Sequence, residues 1–257
     1  MKTIYIKNRR GKKLAVVVEK NAKPHGLAFV MHGLGGHKNQ PHIQTFADAF
    51  RESGYTVVLF DATNSTGKSG GKLEDATLTN YYQDLADVIA WSGKQNWYRE
   101  PFWLAGHSLG GISAALYAEK FPKKVKALAP ISTVVSGKLS LETHSKAELR
   151  EWERIGMRSW ESSTQPGLTK HLKWRHITDR QRYDLLPKAK KLIMPVLLIV
   201  GSLDLTTPLK HQKMLFNALP GQKELRVING ARHTFTEKKH LAEIKKILKQ
   251  WIKHTSD

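Results

Sequence analysis

Five short, almost wholly apolar runs constrain this chain more than any other feature: Leu27–Met31, Tyr55–Phe60, Phe102–Ala105, Val125–Ile131 and Pro195–Val200. None shows the polar–apolar alternation of a strand with one wet face, so each reads as a strand buried on both faces. Segments of helical period separate them. Ile43–Ser53 carries Ile43, Phe46, Ala47 and Phe50 on one face and stops at Gly54, and Leu78–Trp91 turns Tyr81, Leu85, Val88 and Ile89 inward. Leu109–Phe121 ends at Pro122, Leu209–Leu219 follows the fifth run, and a helix from Glu237 to about Lys253 closes the chain. A further strand, Glu224–Ile228, precedes that last helix, and Thr3–Ile6 with Lys13–Glu19 reads as an opening hairpin around Asn8–Gly11. Strand–helix alternation on this scale specifies an α/β fold with a doubly wound, mostly parallel sheet.

One stretch breaks the rhythm. Between Thr133 and Pro187 no buried strand is legible, only short helical patterns over Ser145–Met157 and around Leu172 and Tyr183. So long a stretch is not a bare loop. It reads as a helical cap inserted after the sixth strand (133–187), carried on a core made of 1–132 and 188–257. A chain of 257 residues can bury such a core. It contains no cysteine, which removes disulfide frameworks, Cys-ligated zinc, iron–sulfur clusters and thiol nucleophiles together.

The most informative residues are Phe102-Trp-Leu-Ala-Gly106-His-Ser108-Leu-Gly110-Gly, a G-x-S-x-G pentapeptide between a buried strand and a helix. A serine on so sharp a turn needs glycine neighbours so that strand and helix can approach without Cβ clashes. Its hydroxyl then stands at the C-terminal edge of the sheet, where open α/β sheets bind ligands. Ser108 is therefore the candidate nucleophile. Acyl transfer also needs two N–H donors for the developing oxyanion. Leu109, next to the nucleophile, supplies one; the other is expected from Leu34, in the Gly-rich turn His32-Gly-Leu-Gly-Gly36 after the first buried strand.

A serine hydroxyl requires a base, and the base a carboxylate. Of twelve histidines, His233 follows the last strand and so reaches the same sheet edge, whereas His211, His240 and His254 lie in helices, on faces read as solvated, and His144, His171 and His176 lie in the insertion. Asp204 ends a strand three residues past Gly201 and falls between Ser108 and His233; Asp61 also ends a strand but precedes the serine. Asp179 and Asp184 lie in the insertion.

With H-G-L-G-G, G-H-S-L-G, S-L-D-L-T-T-P and A-R-H-T-F in this order, the chain resembles the α/β-hydrolase superfamily from about Leu27 to its C-terminus. Serine at the elbow, where dehalogenases and epoxide hydrolases carry Asp, excludes those chemistries. Within the superfamily the size and the cap are most similar to feruloyl (cinnamoyl) esterases, with monoacylglycerol lipases nearby. Asp61-Ala-Thr-Asn64-Ser-Thr-Gly67-Lys-Ser69 resembles the family's D-x-x-G-x-G-x-S loop, with Asn64 in place of the first Gly. The resemblance implies a carboxylic-ester hydrolase working through Ser108, His233 and Asp204 without cofactor or metal, on a small-molecule ester. A lipase, thioesterase or peptidase of the same fold is the alternative, and a non-catalytic binding protein the alternative of another class. It also implies that the cap forms the substrate pocket. Trp152, Trp160, Trp174 and Tyr183 can stack on an aromatic acyl group or form the cap's own core; both readings stay open.

Forty-two Lys and Arg against 22 Asp and Glu give a formal charge of +20. The excess sits near the chain ends: residues 1–23 hold eight basic residues and one acidic, whereas 133–187 holds ten and seven. Without a groove-entering motif, specific nucleic-acid binding is not expected, and weak attraction to anionic surfaces is. His32, His37 and His42 cluster in sequence but lack a matching carboxylate, so no metal site is expected. The N-terminus has only a three-residue apolar stretch before charge resumes, too short for a signal peptide, and the longest apolar run, Leu192–Val200, is too short to span a bilayer, so a cytoplasmic protein is expected.

Overall fold

A computed structural model of the chain describes residues 2–162 and 167–256. β1 (Ile4–Lys7) and β2 (Lys13–Glu19) form the expected antiparallel hairpin. β3 (Leu27–Met31), α1 (Pro41–Glu52), β4 (Thr56–Asp61), α2 (Leu78–Ser92), β5 (Phe102–His107), α3 (Leu109–Lys120) and β6 (Val125–Ile131) then alternate. After the segment that follows β6, β9 (Val196–Gly201), α6 (Leu209–Ala218), β10 (Lys223–Ile228) and α7 (Lys238–Ser256) complete the chain. The strands make one eight-stranded sheet in the order β1-β2-β4-β3-β5-β6-β9-β10, parallel from β4 to β10.

The apolar runs are buried because helices cover both faces of the sheet. α1 and α7 pack on one face, where Trp103 meets Trp251 edge-on at 5.0 Å beside Ile43, Phe46, Ile244 and Leu248. α2, α3 and α6 cover the other, over Phe29, Phe60, Leu104 and Leu198. On α7, Ile244, Leu248 and Trp251 are buried as the pattern requires, and outer Lys245 and Lys249 pair with Glu52 of α1.

The chain winds in one direction from β3 to β4 and then crosses back over β3 to β5 and β6, which makes the β3–β5 boundary the switch point at which such sheets open a crevice. Met31 of β3 is in register with Gly106 of β5, so the turns after both strands emerge side by side.

The segment between β6 and β9 differs from its sequence reading. α4 (Lys146–Ile155) is there, with a Ser145–Glu148 capping box at its start, and α5 (Arg175–Arg180) precedes Tyr183. The residues around Leu172, however, are not helical: β7 (Met157–Glu161) and β8 (Thr169–Lys173) form an antiparallel hairpin. Short strands dense in Arg, Lys and His have no apolar run to betray them; buried Lys170 and Leu172 alternate with exposed Thr169 and His171, but the lysine hides that alternation in the sequence. Among the described residues no helix is long and apolar enough to cross a membrane.

Candidate active site

The turn after β5 is built from backbone-to-backbone contacts that only glycine allows. A Cβ on Gly106 would lie 2.4 Å from the Gly110 carbonyl oxygen, and one on Gly110 would lie 2.5 Å from that of His32. α3 can therefore start directly under β3 and β5. Between these glycines Ser108 takes φ 53° and ψ −114°, a conformation that costs a non-glycine residue about 1–3 kcal/mol. Its N–H donates to the Ile131 carbonyl of β6 at 2.9 Å, which helps to hold the strained turn.

The loops after β9 and β10 bring the other two residues to the serine. His233 Nε2 lies 3.0 Å from Ser108 Oγ, and His233 Nδ1 lies 2.9 Å from Asp204 Oδ2. The carboxylate can only accept, so Nδ1 carries the imidazole proton and Nε2 presents its lone pair to the serine hydroxyl. Asp204 is buried. Its Oδ1 accepts the N–H groups of Thr206 and Thr207 at 2.9 and 2.8 Å, and the Thr207 hydroxyl lies 2.8 Å from its Oδ2. Burial by itself would raise the carboxyl, but the bond to His233 and its charge, with the Thr207 donors, hold it well below the usual carboxylate range. Asp204 thus stays ionised at neutral pH and fixes the His233 tautomer.

The turn after β3 lies against this group: a Cβ on Gly33 would stand 3.0 Å from the Ser108 Cβ. The Gly33 carbonyl is held from three sides, by His32 Nδ1 at 2.8 Å, the Gly36 N–H at 3.1 Å and the Tyr81 hydroxyl at 3.4 Å. His32 Nε2 accepts the Ala62 N–H at 2.9 Å, which leaves the proton on Nδ1. Complete burial pushes His32 down to about 4, so it is neutral and keeps this tautomer. Because a trans peptide is planar, anchoring the Gly33 carbonyl aims the Leu34 N–H the opposite way. Leu109 opens α3, where its N–H is one of the helix's donors without an intrahelical acceptor.

His107 supports His233 from behind. Its Nε2–H donates to the His233 carbonyl at 2.8 Å, the two rings lie 4.7 Å apart, and buried His42 packs on its other side at 4.6 Å. Burial drives His107 well below its ordinary value. The roles of His32, Tyr81 and His107 were not legible in the sequence, since each depends on a neighbour distant along the chain.

Other sequence candidates lie elsewhere. Asp61 accepts from Lys38 Nζ at 2.7 Å and from the N–H groups of Lys38 and Lys68 at 2.8 Å each, pinning two loops together. Asn64, in the place of a family glycine, takes φ 58°, the left-handed conformation that Asn tolerates best after Gly. His211 and His240 are buried, not solvated, because both sit at the inner margin of amphipathic helices. Trp152 donates to the Leu172 carbonyl at 2.9 Å and packs on Trp174 at 5.8 Å, so these two form the inner packing of the segment itself. Tyr183 lies 2.5 Å from the Thr79 hydroxyl and lines a cleft of about 350 Å³ whose walls include none of Ser108, Asp204 or His233. Trp160 is half-buried on β7. Among the described residues no cluster of three or more His, Asp or Glu could hold a metal.

A strained serine at the β3–β5 switch point, facing an imidazole held by a buried carboxylate, defines a class of protein: residues 29–165 match the family model for the α/β hydrolase fold, and the chain belongs to that family. Along almost its whole length it is similar to an uncharacterized 31.7 kDa protein of Escherichia coli from the traX-finO intergenic region, 24% identical over 92% of this chain and 93% of the relative. A pyrethroid hydrolase of Sphingobium wenxiniae is 34% identical over 83 residues, 32% of this chain and 28% of that protein. Among solved structures, Est1E from Butyrivibrio proteoclasticus with ferulic acid bound superposes with a TM-score of 0.81 at 22% identity, covering 98% of each chain, a likeness of fold.

Proposed function

We propose that the protein is a serine hydrolase that cleaves carboxylic esters through an acyl-enzyme. The observation that carries this reading is the bonded series Ser108–His233–Asp204, 3.0 and 2.9 Å long, under a serine held in a strained turn. Ser108 Oγ attacks the ester carbonyl as its proton passes to His233 Nε2, and the tetrahedral oxyanion rests on the Leu34 and Leu109 N–H groups. His233 returns the proton to the departing alcohol. It then takes one from the water that attacks the acyl-enzyme, and Ser108 leaves with that proton while the free acid is released. Asp204 remains ionised and keeps Nδ1–H in place. His32 and Tyr81 hold the peptide that presents Leu34, and His107 holds the backbone of His233.

Residues 133–187 act in this reading as a cap on a core of 1–132 and 188–257, and the hairpin supplies the pocket wall nearest the serine, with Trp160 its aromatic element. The local similarity to a pyrethroid hydrolase supports an ester as substrate.

The test is a panel of p-nitrophenyl esters of increasing acyl length, with methyl ferulate, on the wild type and Ser108→Ala. Turnover in the wild type and none in the variant, with unchanged circular dichroism, is the expected result. Turnover that survives Ser108→Ala removes Ser108 from the mechanism, and a wild type that neither turns over nor labels with a fluorophosphonate is a binding protein.

A further inference from the structure

The hairpin β7–β8 carries a cation where its pattern calls for an apolar side chain. On β8, Lys170 and Leu172 face inward and Thr169 and His171 face solvent; Lys170 keeps only 8% of its surface, Leu172 2%. Inward-facing cations are normally paired, since an isolated buried charge is costly. Lys173, three residues on, is paired: its ammonium meets Glu74 at 3.0 Å and Asp75 at 2.8 Å, and Arg175 also bonds Asp75. Lys170 has neither ion pair nor hydrogen bond among the described residues. Asp61, which shares His37 with it as a charged neighbour, is committed to Lys38 and to two backbone N–H groups. Lys170 opposes the charged form of His37. Burial alone, with no acid to offset it, lowers the Lys170 ammonium.

Its location gives the cation a use. A Cβ on Gly35 would meet Lys170 Cδ at 3.4 Å and Nζ at 3.5 Å, and Gly35 stands two residues beyond Gly33, which lies against Ser108. Two residues span at most about 7 Å of chain. The ammonium therefore stands beside the loop that carries Leu34, the oxyanion donor of the proposed mechanism. Trp160 pairs with Lys170 across the hairpin, so an aromatic ring flanks it on the same face.

We propose that Lys170 receives an anionic group of the substrate, so that the preferred ester carries a carboxylate or phosphate a few bonds from the scissile carbonyl. This inference rests on the serine-hydrolase reading for the reaction, but the binding it asserts does not depend on turnover. An ammonium bonded to such an anion gains a charge-assisted hydrogen bond that a neutral substrate of the same shape cannot supply. The preference for anionic over neutral partners should accordingly be about tenfold to a hundredfold.

The experiment compares monomethyl glutarate, anionic on the acyl side, with neutral dimethyl glutarate. O-Acetyl-4-hydroxybutanoate and its methyl ester serve as the alcohol-side pair, and methyl 3-phosphonopropanoate as the phosphate-like probe. Binding is measured by calorimetry on Ser108→Ala, and kcat/KM on proteins with Ser108 intact. Tighter binding of at least one anionic probe, a gap that closes in Ser108→Ala/Lys170→Met and persists in Ser108→Ala/Lys170→Arg, supports the inference and shows on which side the anion lies. Thermal melting of Lys170→Met at or above the wild-type temperature shows that the cation is not there for stability. Equal binding of anionic and neutral probes, or a preference that survives Lys170→Met, overturns the inference. A binding gap without turnover or fluorophosphonate labelling leaves Lys170 in place and removes the hydrolase reading instead.

Discussion

At the C-terminal edge of the sheet Asp204, His233 and His32 spend their polar atoms on one another and on the backbone, although the buried Ser132 Oγ and His42 Nε2 nearby stay unbonded; in the segment between β6 and β9 the unbonded buried atoms are nitrogens of a cation and an imidazole. Asp204 accepts from two backbone N–H groups, a hydroxyl and His233, and His32 uses both ring nitrogens. In the other region Arg180 is buried with Nε and one terminal nitrogen unbonded, and His176 leaves Nε2 unbonded. The first region is organised without a ligand, as electrostatic stabilisation of a transition state requires. The second is fastened to the core by buried Trp152, Leu172, Ile177 and Leu185 and by polar contacts, Asp179 to Thr79 and Lys173 and Arg175 to Asp75. In the proposed mechanism, chemistry and specificity thus sit on different parts of the chain.

The largest expected effect lies at the organised edge. His233→Ala should lower kcat by about 10⁵–10⁶-fold, because serine and base act as a unit. Asp204→Asn should cost about 10⁴-fold in kcat by releasing the His233 tautomer, with KM much less affected. If both variants retained activity within tenfold of the wild type, the edge would be no more functional than the hairpin, and the contrast would fail.

Acid separates the two regions next. His32 is held down to about 4 and His176 to about 3 by burial, against about 6.5 when unfolded. Over that interval the unfolded chain binds protons that the folded chain refuses, so stability falls as pH drops from about 6.5 to 4, by about 2–3 kcal/mol for His32 alone. Asp204, depressed in the fold, adds its own loss only below about pH 4. Urea midpoints at pH 7, 5.5 and 4 should decline, less steeply in His176→Phe; midpoints constant over this range would contradict the burial of both rings. Smallest is the fastening itself. Asp75→Asn should raise amide exchange in β8 by about fivefold or less and leave β5 unchanged, as partly exposed ion pairs contribute little. Equal acceleration in β5 would show that the segment and the sheet open together.

The same contrast governs what could be read before folding. Continuous apolar runs and helical periods placed every strand and helix of the main sheet, and the spacing of Gly106, Ser108 and Gly110 is enforced by backbone contacts that tolerate no side chain. The order Ser108, Asp204, His233 then followed from the loops that end β5, β9 and β10. The hairpin stayed hidden because Met-Arg-Ser-Trp-Glu and Thr-Lys-His-Leu-Lys signal neither a core nor a helix, and its inward lysine breaks the alternation that would have marked a strand. His32 and His107 were invisible for another reason: what each one does is set by Gly33, Ala62 and His233, partners that only the sheet brings near.

The most direct measurement is intact-protein and peptide mass spectrometry after exposure to a fluorophosphonate. One adduct, on the peptide containing Ser108, lost in Ser108→Ala and strongly slowed in His233→Ala, is the predicted result. A wild-type protein that takes up no label, or takes it up at another residue with equal speed in both variants, would contradict the assignment of Ser108 as a nucleophile activated by His233.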